Sequence, residues 1–309
     1  MDSHAAADAP GWTLLCRDDP RYPAQLATVR GCPDELFVRG DPAALALPQL
    51  AIVGSRAASA TGRETAFEFA AALATRGLAI TSGLAAGIDA AAHRGALAAG
   101  GVTIAVCGTG LDRVYPAEHA TLAAGIAERG ALVSEFPPGT PPLAENFPQR
   151  NRLMSGLSLG VLVVEAAARS GSLITARHAG DQGREVLAVP GSIHNALARG
   201  CHRLIKDGAA LVETPDDVIA ALEFRGFLPA KPAACSAADS QNSGARLDSD
   251  AEILLNALGF EPADLDRLVE RTGLPPPAVV SKLQLLELEG RVESLAGGRY
   301  SRTPPRRTT

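Results

Sequence analysis

Short apolar runs of four to six residues recur over the first two-thirds of the chain, most of them closing on glycine or a small polar residue. LAIVG (50–54), GLAITSG (77–83), VTIAVCG (102–108), ALVSEF (131–136), GVLVVE (160–165), EVLAVPG (185–191) and AALV (209–212) make up the series. Positions that are apolar consecutively, rather than alternately, suit strands covered on both faces, as in a parallel sheet. Between them lie Ala-rich stretches at helical spacing, such as TGRETAFEFAAALATRG (61–77) and GIDAAAHRGALAAG (87–100). The alternation predicts a doubly wound α/β domain over 45–225.

The pattern differs at both ends. Residues 1–44 hold scattered prolines and two short apolar patterns, YPAQLATV and DELFVRG, and read as a small helical lead-in. Residues 226–250 are rich in Ala, Ser and Pro without periodicity, and read as a flexible linker. Over 251–303 the pattern turns helical again. AEILLNAL is one helix, and PADLDRLVERTGL starts another near Pro262 and turns at Gly273. PPPAVVSKLQLLELEG is a further helix stopped by Gly290, and RVESLAGGRYSR is a hairpin about Gly297-Gly298. Helices followed by a two-stranded ribbon predict a winged helix. Its last helix carries Lys282 against Glu287 and Glu289, a balance that argues against strong duplex binding and equally for protein contact.

Composition narrows the class without naming a chemistry. The 309 residues are 46% hydrophobic and 20% charged, enough for a sizeable core in two domains. No apolar run approaches the roughly 20 residues that span a bilayer, and MDSHAAADAPGW lacks the features of a secretory leader. The expected location is the cytoplasm, with no membrane partner. The five cysteines (Cys16, Cys32, Cys107, Cys201, Cys235) are widely spaced with no C-x-x-C pair, and read as buried or idle thiols. The net charge of -5 conceals a basic stretch: residues 146–206 carry eight Lys/Arg against three Asp/Glu. Such local excess favours a polyanionic partner, or else marks solvated helix faces.

Ligands of open parallel sheets bind beyond the carboxyl ends of the strands. Here those ends read Gly54-Ser55-Arg56, Ser82-Gly83-Leu84, Gly108-Thr109-Gly110, Ser170-Gly171-Ser172 and Pro190-Gly191-Ser192. Close backbone approach, hydroxyls and amides suit phosphate oxygens. A nicotinamide or flavin dinucleotide is disfavoured. The first turn, GSRAASATG, is not G-x-G-x-x-G, and the second strand ends in Thr81-Ser82 where a ribose-binding acid belongs. A Walker A sequence is absent, so no cofactor is expected. Asp89 and His93 share a helical face, which fits an Asp bonded within its own turn better than a hydrolytic pair. No metal or catalytic set is expected.

The motifs IVGSRAASATG, SGLAAGIDAAAHRGAL, TIAVCGTGLDRVYP, FPQRNRLMSGLS and SGSLITARHAG…PGS, in that order, resemble those of the DNA-processing protein A (DprA/Smf) family. The resemblance covers the whole α/β domain, and the terminal winged helix matches a module many members carry. It implies an extended Rossmann-like sheet that binds single-stranded DNA, dimerises and loads the RecA recombinase during natural transformation. It implies no established enzymatic activity. A nucleotide-processing enzyme of phosphoribohydrolase type is the alternative, but its P-G-G-x-G-T-x-x-E signature has only SGSLITARHAG as a counterpart, without the glutamate. A weaker third possibility is a ligand-sensing transcription regulator that uses the winged helix. The chain departs from the family chiefly in its short N-terminal segment.

The DNA-binding set expected from this resemblance is Gly54, Ser55, Arg56, Ser82, Gly83, Gly108, Phe147, Arg150, Asn151, Arg152, Ser170, Gly171 and Ser172. In ENFPQRNRLMSG, behind a Phe-Pro corner, the arginines would meet phosphates, Asn151 a phosphate or base edge, and Phe147 a base face. The competing structural reading makes Phe147 core and pairs Arg150 or Arg152 with Glu145 or Glu135.

Overall fold

A computed structural model describes residues 11–224 and 226 and, farther along, 254–255, 257–258, 262–295 and 297–303. The chain divides into two compact units, 1–230 and 231–309. The first holds strands β1 (Thr13–Cys16), β2 (Glu35–Gly40), β3 (Gln49–Val53), β4 (Ala79–Ser82) and β5 (Thr103–Val106). It continues with β6 (Ala131–Ser134), β7 (Gly160–Val163), β8 (Glu185–Ala188) and β9 (Ala210–Leu211). All nine join one sheet in the order β1-β2-β6-β5-β4-β3-β7-β8-β9. From β6 to β9 every neighbouring pair is parallel. The seven expected strands are all present, and the strand order reverses between β3 and β7.

Helices α1 (Ala24–Ala27), α2 (Ala60–Ala74), α3 (Ile88–Ala98), α4 (Ala120–Arg129), α5 (Asn146–Leu157), α6 (Ser172–Asp181), α7 (Arg199–Lys206) and α8 (Pro215–Phe224) connect the strands. Strand residues alternate between two helical layers. Leu50, Ile52, Ile80 and Leu162 pack with Phe69, Leu73, Ile88 and Leu222, on the side of α2, α3 and α8. Ala51, Val53, Val106 and Val163 pack with Leu153, Met154, Ala176 and Cys201, on the side of α5, α6 and α7. This two-sided burial explains why β3 to β7, buried along their whole length, read as near-continuous apolar runs, with Gln49, Thr81, Ser82, Thr103 and Ser134 buried among them. Fully burying one such Val, Leu or Ile contributes about 1.5–3 kcal/mol.

Residues 11–44 differ from the helical lead-in expected of them. Helical structure there is confined to the single turn α1 and the start of a 3-10 turn, Pro42–Ala46. β1 pairs antiparallel with β2, and β2 with β6, which extends the sheet by two strands. Leu36 and Val38 point inward from alternate positions of DELFVRG while Glu35 and Arg39 stay outside the core. Docking β2 pairs the edge of β6 that would otherwise be open.

In the second unit, helix Leu265–Thr272 begins at Asp264, whose carboxylate accepts from the Arg267 amide at 2.8 Å, and ends at left-handed Gly273. Helix Pro276–Leu288 follows, with Gly290 two residues beyond it at φ 69°. Strands Val292–Leu295 and Arg299–Arg302 pair about Gly297-Gly298, and Ala263–Asp264 adds a third strand beside Arg299–Arg302. Leu254, Leu255, Leu258, Leu268, Val279, Leu283 and Leu286 form its core. This is a winged helix. Its last helix exposes Leu285 and Leu288. The expected linker lies outside the described residues apart from Gly226, as does part of the helix expected over 251–258.

Candidate nucleic-acid interface

A cleft of about 750 Å³ opens at the strand ends on the two sides of the β3–β7 reversal. On one side β3 runs into Gly54-Ser55-Arg56, and the Ser55 amide donates to the Glu165 carbonyl just past β7 at 2.7 Å. Gly87 brings α3 against this turn at φ 78°, where a Cβ would strike the Ser55 carbonyl. On the other side β7 leads through Arg169-Ser170-Gly171 into α6. Helix α5 lies across both and supplies Phe147, Arg150 and Asn151.

FPQRNR is therefore the start of a helix rather than a corner. Pro148 falls in the first turn, where amides have no intrahelical partner and a proline costs nothing in hydrogen bonds. The Asn146 side chain donates to the Gly108 carbonyl at 3.0 Å and ties the helix start to the end of β5.

Arg150, 4% exposed, lies beneath the cleft. Its Nη1 donates to the Gly83 carbonyl at 2.7 Å and to that of Val106, and its Nε donates to Asn151 Oδ1 at 3.2 Å. One guanidinium thus braces the ends of β4 and β5. Burial pulls its pKa below the ordinary arginine value, while the nearby Asp89 carboxylate opposes that shift. Asp89 accepts from the Gly83 and Ala85 amides at 3.2 and 3.4 Å. Burial pushes its pKa up, against the pull of Arg150 and those amides. Gly83 must be glycine because a Cβ there would run into the Arg150 guanidinium.

Phe147 is half-buried, with its ring against Gly108, where a Cβ would stand 3.1 Å from Cδ1. The Arg56 and Arg150 guanidinium carbons lie 5.5 and 5.9 Å from the ring centroid, and the Tyr115 ring is centred 5.5 Å away at 46°. Arg56, Tyr115 and Arg169 are exposed on the rim. Among the described residues neither Arg56 nor Arg169 pairs with a carboxylate. At the start of α6, the Ser170 and Ser172 hydroxyls meet at 2.7 Å and Gly171 is exposed. Thr175, on the next turn and also lining the cleft, is buried, and its hydroxyl has no hydrogen-bond partner among the described residues.

Nine of the thirteen expected residues therefore line the cleft: Gly54, Ser55, Arg56, Phe147, Arg150, Asn151, Ser170, Gly171 and Ser172. The other four do not. The Ser82 hydroxyl donates to the Ile52 carbonyl at 2.6 Å within the sheet. Gly83 and Gly108 are buried, with their carbonyls taken by Arg150 and Asn146. Arg152 turns away to pair with Glu135, which also accepts from Gln149. Asp89 and His93 are not aimed at a common substrate. The His93 Nδ1 meets the Thr103 hydroxyl at 2.7 Å deep in the core, and Asp89 serves its own turn.

Sequence reasoning did not single out Tyr115, Arg169, Asn146 or Glu165. Tyr115 and Arg169 had weak signals, one inside a family-like motif and the other inside the basic stretch. Glu165 had none. It reaches 106 residues back along the chain, where Oε2 accepts from the Ser59 amide at 2.9 Å and Oε1 from its hydroxyl at 2.7 Å. Ser59 is the N-cap of α2, accepting from the Gly62 amide at 2.9 Å. A carboxylate of the chain itself therefore sits at the helix start that dinucleotide-binding sheets offer to a pyrophosphate.

A family model for DNA recombination-mediator protein A matches residues 13–223, and one for the DprA winged helix domain matches residues 237–298. Protein Smf of Escherichia coli (strain K12) is 49% identical over 293 residues, 94% of this chain and 78% of that protein. The DNA processing protein DprA of Streptococcus pneumoniae is 46% identical over 215 residues, 70% of this chain and 75% of that protein. The X-ray structure of the pneumococcal protein superposes with a TM-score of 0.66 at 45% identity, over 68% of this chain and 74% of that one. A Helicobacter pylori DprA structure, described for its single-stranded DNA binding mode, gives 0.61 at 28% identity over 66% and 93%. The chain belongs to the DNA recombination-mediator protein A family.

Proposed function

We propose that the protein is a recombination mediator that holds single-stranded DNA in the cleft at the β3–β7 reversal, protects it, and passes it to the RecA recombinase during natural transformation. The observation that carries this reading is the rim, where Arg56 and Arg169 stand exposed beside an exposed tyrosine and an open helix start. Cations and backbone amides suit phosphates. Aromatic faces suit bases, and only unpaired strands offer base faces. Glu165, closing the α2 start, supports a polymer ligand over a dinucleotide cofactor. The role is non-enzymatic in this reading, since Asp89 and His93 are committed to the fold. The transfer to RecA, the protection of incoming DNA and the cytoplasmic location rest on family membership. Among the described residues no helix is long and apolar enough to cross a membrane.

A second copy of the chain is the partner proposed for the far edge of the sheet. There a groove of about 470 Å³ sets Arg177, Arg184 and Arg203 among Asp181, Glu185 and Asp207 over an apolar floor. A patch that carries both charges can complement itself across a two-fold axis. The neighbouring strand β9 leaves Leu211 49% exposed.

The test is a gel shift with the full chain, comparing a labelled single strand with a duplex of equal length. The single strand is shifted at protein concentrations that leave the duplex free. Equal shifts for the two would overturn the reading.

A further inference from the structure

In a helix-turn-helix reader of DNA the second helix enters the major groove, and residues at its N-terminal end meet base edges. In the second unit the helix Pro276–Leu288 holds that place, after Leu265–Thr272 and ahead of the wing. Its start, Pro276, Pro277 and Ala278, offers no side-chain donor, and its one cation is Lys282.

Val279, Leu283 and Leu286 face the core of the unit. At about 100° per residue Leu288 falls opposite that stripe, with Leu285 one turn before it and Glu287 and Glu289 to its two sides. Leu285 and Leu288 are 47% and 87% exposed. Glu287 and Glu289 are exposed too, and among the described residues neither forms an ion pair. Both acids also stand at the wrong end of the helix. A carboxyl end carries partial negative charge and favours cations, yet no basic residue lies in the last turn.

The leucines held in water and the carboxylates held against the dipole both weaken the unit when it stands alone. One kind of ligand relieves both: a protein surface whose apolar side chains cover the leucines and whose lysines or arginines meet the acids. Duplex DNA does not, because its phosphates meet like charge. We propose that the helix Pro276–Leu288 is a docking face for a basic amphipathic helix of a protein partner. The partner lays its apolar stripe on Leu285 and Leu288 and sets its cations against Glu287 and Glu289.

The experiment measures fluorescence anisotropy of a labelled synthetic peptide, helical, with leucines on one face and lysines at its margins, against the full chain. A peptide of the same composition in scrambled order controls for net charge. The wild type binds the amphipathic peptide at least about tenfold more tightly than the scrambled one. Leu288→Ser, and Glu287→Lys combined with Glu289→Lys, each weaken that binding by roughly 5- to 30-fold, the range of a lost interface anchor. The charge reversal also raises the melting temperature of the second unit, because cations then stand at the carboxyl end, so its lost binding is not lost folding. Equal binding of the two peptides, binding of neither, or a Leu288→Ser protein that binds as the wild type does would overturn the docking face. Binding that survives the charge reversal would overturn the basic partner. A duplex oligonucleotide shifted by the wild type and not by Leu288→Ser would make this a nucleic-acid face and overturn the proposal.

Discussion

On the floor of the cleft, Arg150 is 4% exposed and every direction of its guanidinium that the structure accounts for ends on the protein's own acceptors. On the rim, Arg56 stands in solvent over the same phenylalanine ring, with no carboxylate paired to it among the described residues. Both are arginines at the end of a parallel strand or beside one, and both lie within 6 Å of Phe147. The difference is in what satisfies them. Carbonyls at the ends of β4 and β5 must be paired somewhere once the helices cover them, and Arg150 does this from α5. The rim cations have no such duty and remain available to an external anion. Floor residues therefore act on stability, and rim residues on binding.

The largest effect expected from this division is Arg150→Ala. The substitution strips the Gly83 and Val106 carbonyls of their donor and leaves Asp89 without its neighbouring cation. Removing one member of such a buried charged arrangement costs about 3–5 kcal/mol. Urea unfolding of the full chain should show this as a lowered midpoint of the first unit's transition. Unchanged stability together with lost DNA binding would move Arg150 to the rim and break the comparison.

Next in size is a pH effect from behind the floor. His93, on α3 one turn beyond Asp89, has its pKa depressed to about 3, first by burial and then by His119, Arg150 and Arg94. Its Nε2 has no hydrogen-bond partner among the described residues. The folded protein therefore favours the neutral ring, whereas the unfolded chain protonates it near the ordinary value of about 6.5. Stability from this group is complete above pH 6.5 and is lost as the pH falls toward 3. Well inside that window the loss is about 1.4 kcal/mol per pH unit. Unfolding free energies at pH 6, 5.5 and 5, for the wild type and His93→Gln, isolate the contribution. The variant is less stable at neutral pH but has a flatter profile. Parallel profiles would mean that His93 is not the titrating group.

The same division explains what could be read from the sequence. Strands β3 to β7 were legible because burial on both faces fills them mostly with consecutive apolar residues, β8 and β9 because their apolar runs persist at partial burial, and the strand ends because turns there need Gly and Ser. β1 and β2 were not, since WTLLC and DELFVRG lie at the outer edge and bury only part of their residues. The site was legible as a set of turns and as a motif order. The duty of each side chain was not. An arginine bound to carbonyls leaves no trace in the sequence, because every residue of β4 and β5 supplies a carbonyl. Glu165 and Ser59 are brought together only by strands that are neighbours in the sheet and remote in the chain. For Arg152 the competing reading, a pair with Glu135, is the one the structure contains.

The smallest effects belong to the rim and sharpen the comparison most. Arg56→Ala and Arg169→Ala should each leave stability within about 0.5 kcal/mol of the wild type, as surface substitutions usually do. If each guanidinium neutralises one phosphate, each loss should flatten the dependence of log affinity on log salt by about 0.7 for a single strand. Arg152→Ala serves as the internal control. Its side chain is 19% exposed and already neutralised by Glu135, so the salt slope should stay at the wild-type value. Titrations of a labelled single strand at four salt concentrations give all three slopes. A flattened slope for Arg152→Ala equal to that of Arg56→Ala would mean that pairing with Glu135 gives way to DNA. Burial and an internal partner would then no longer separate structural arginines from binding ones in this cleft.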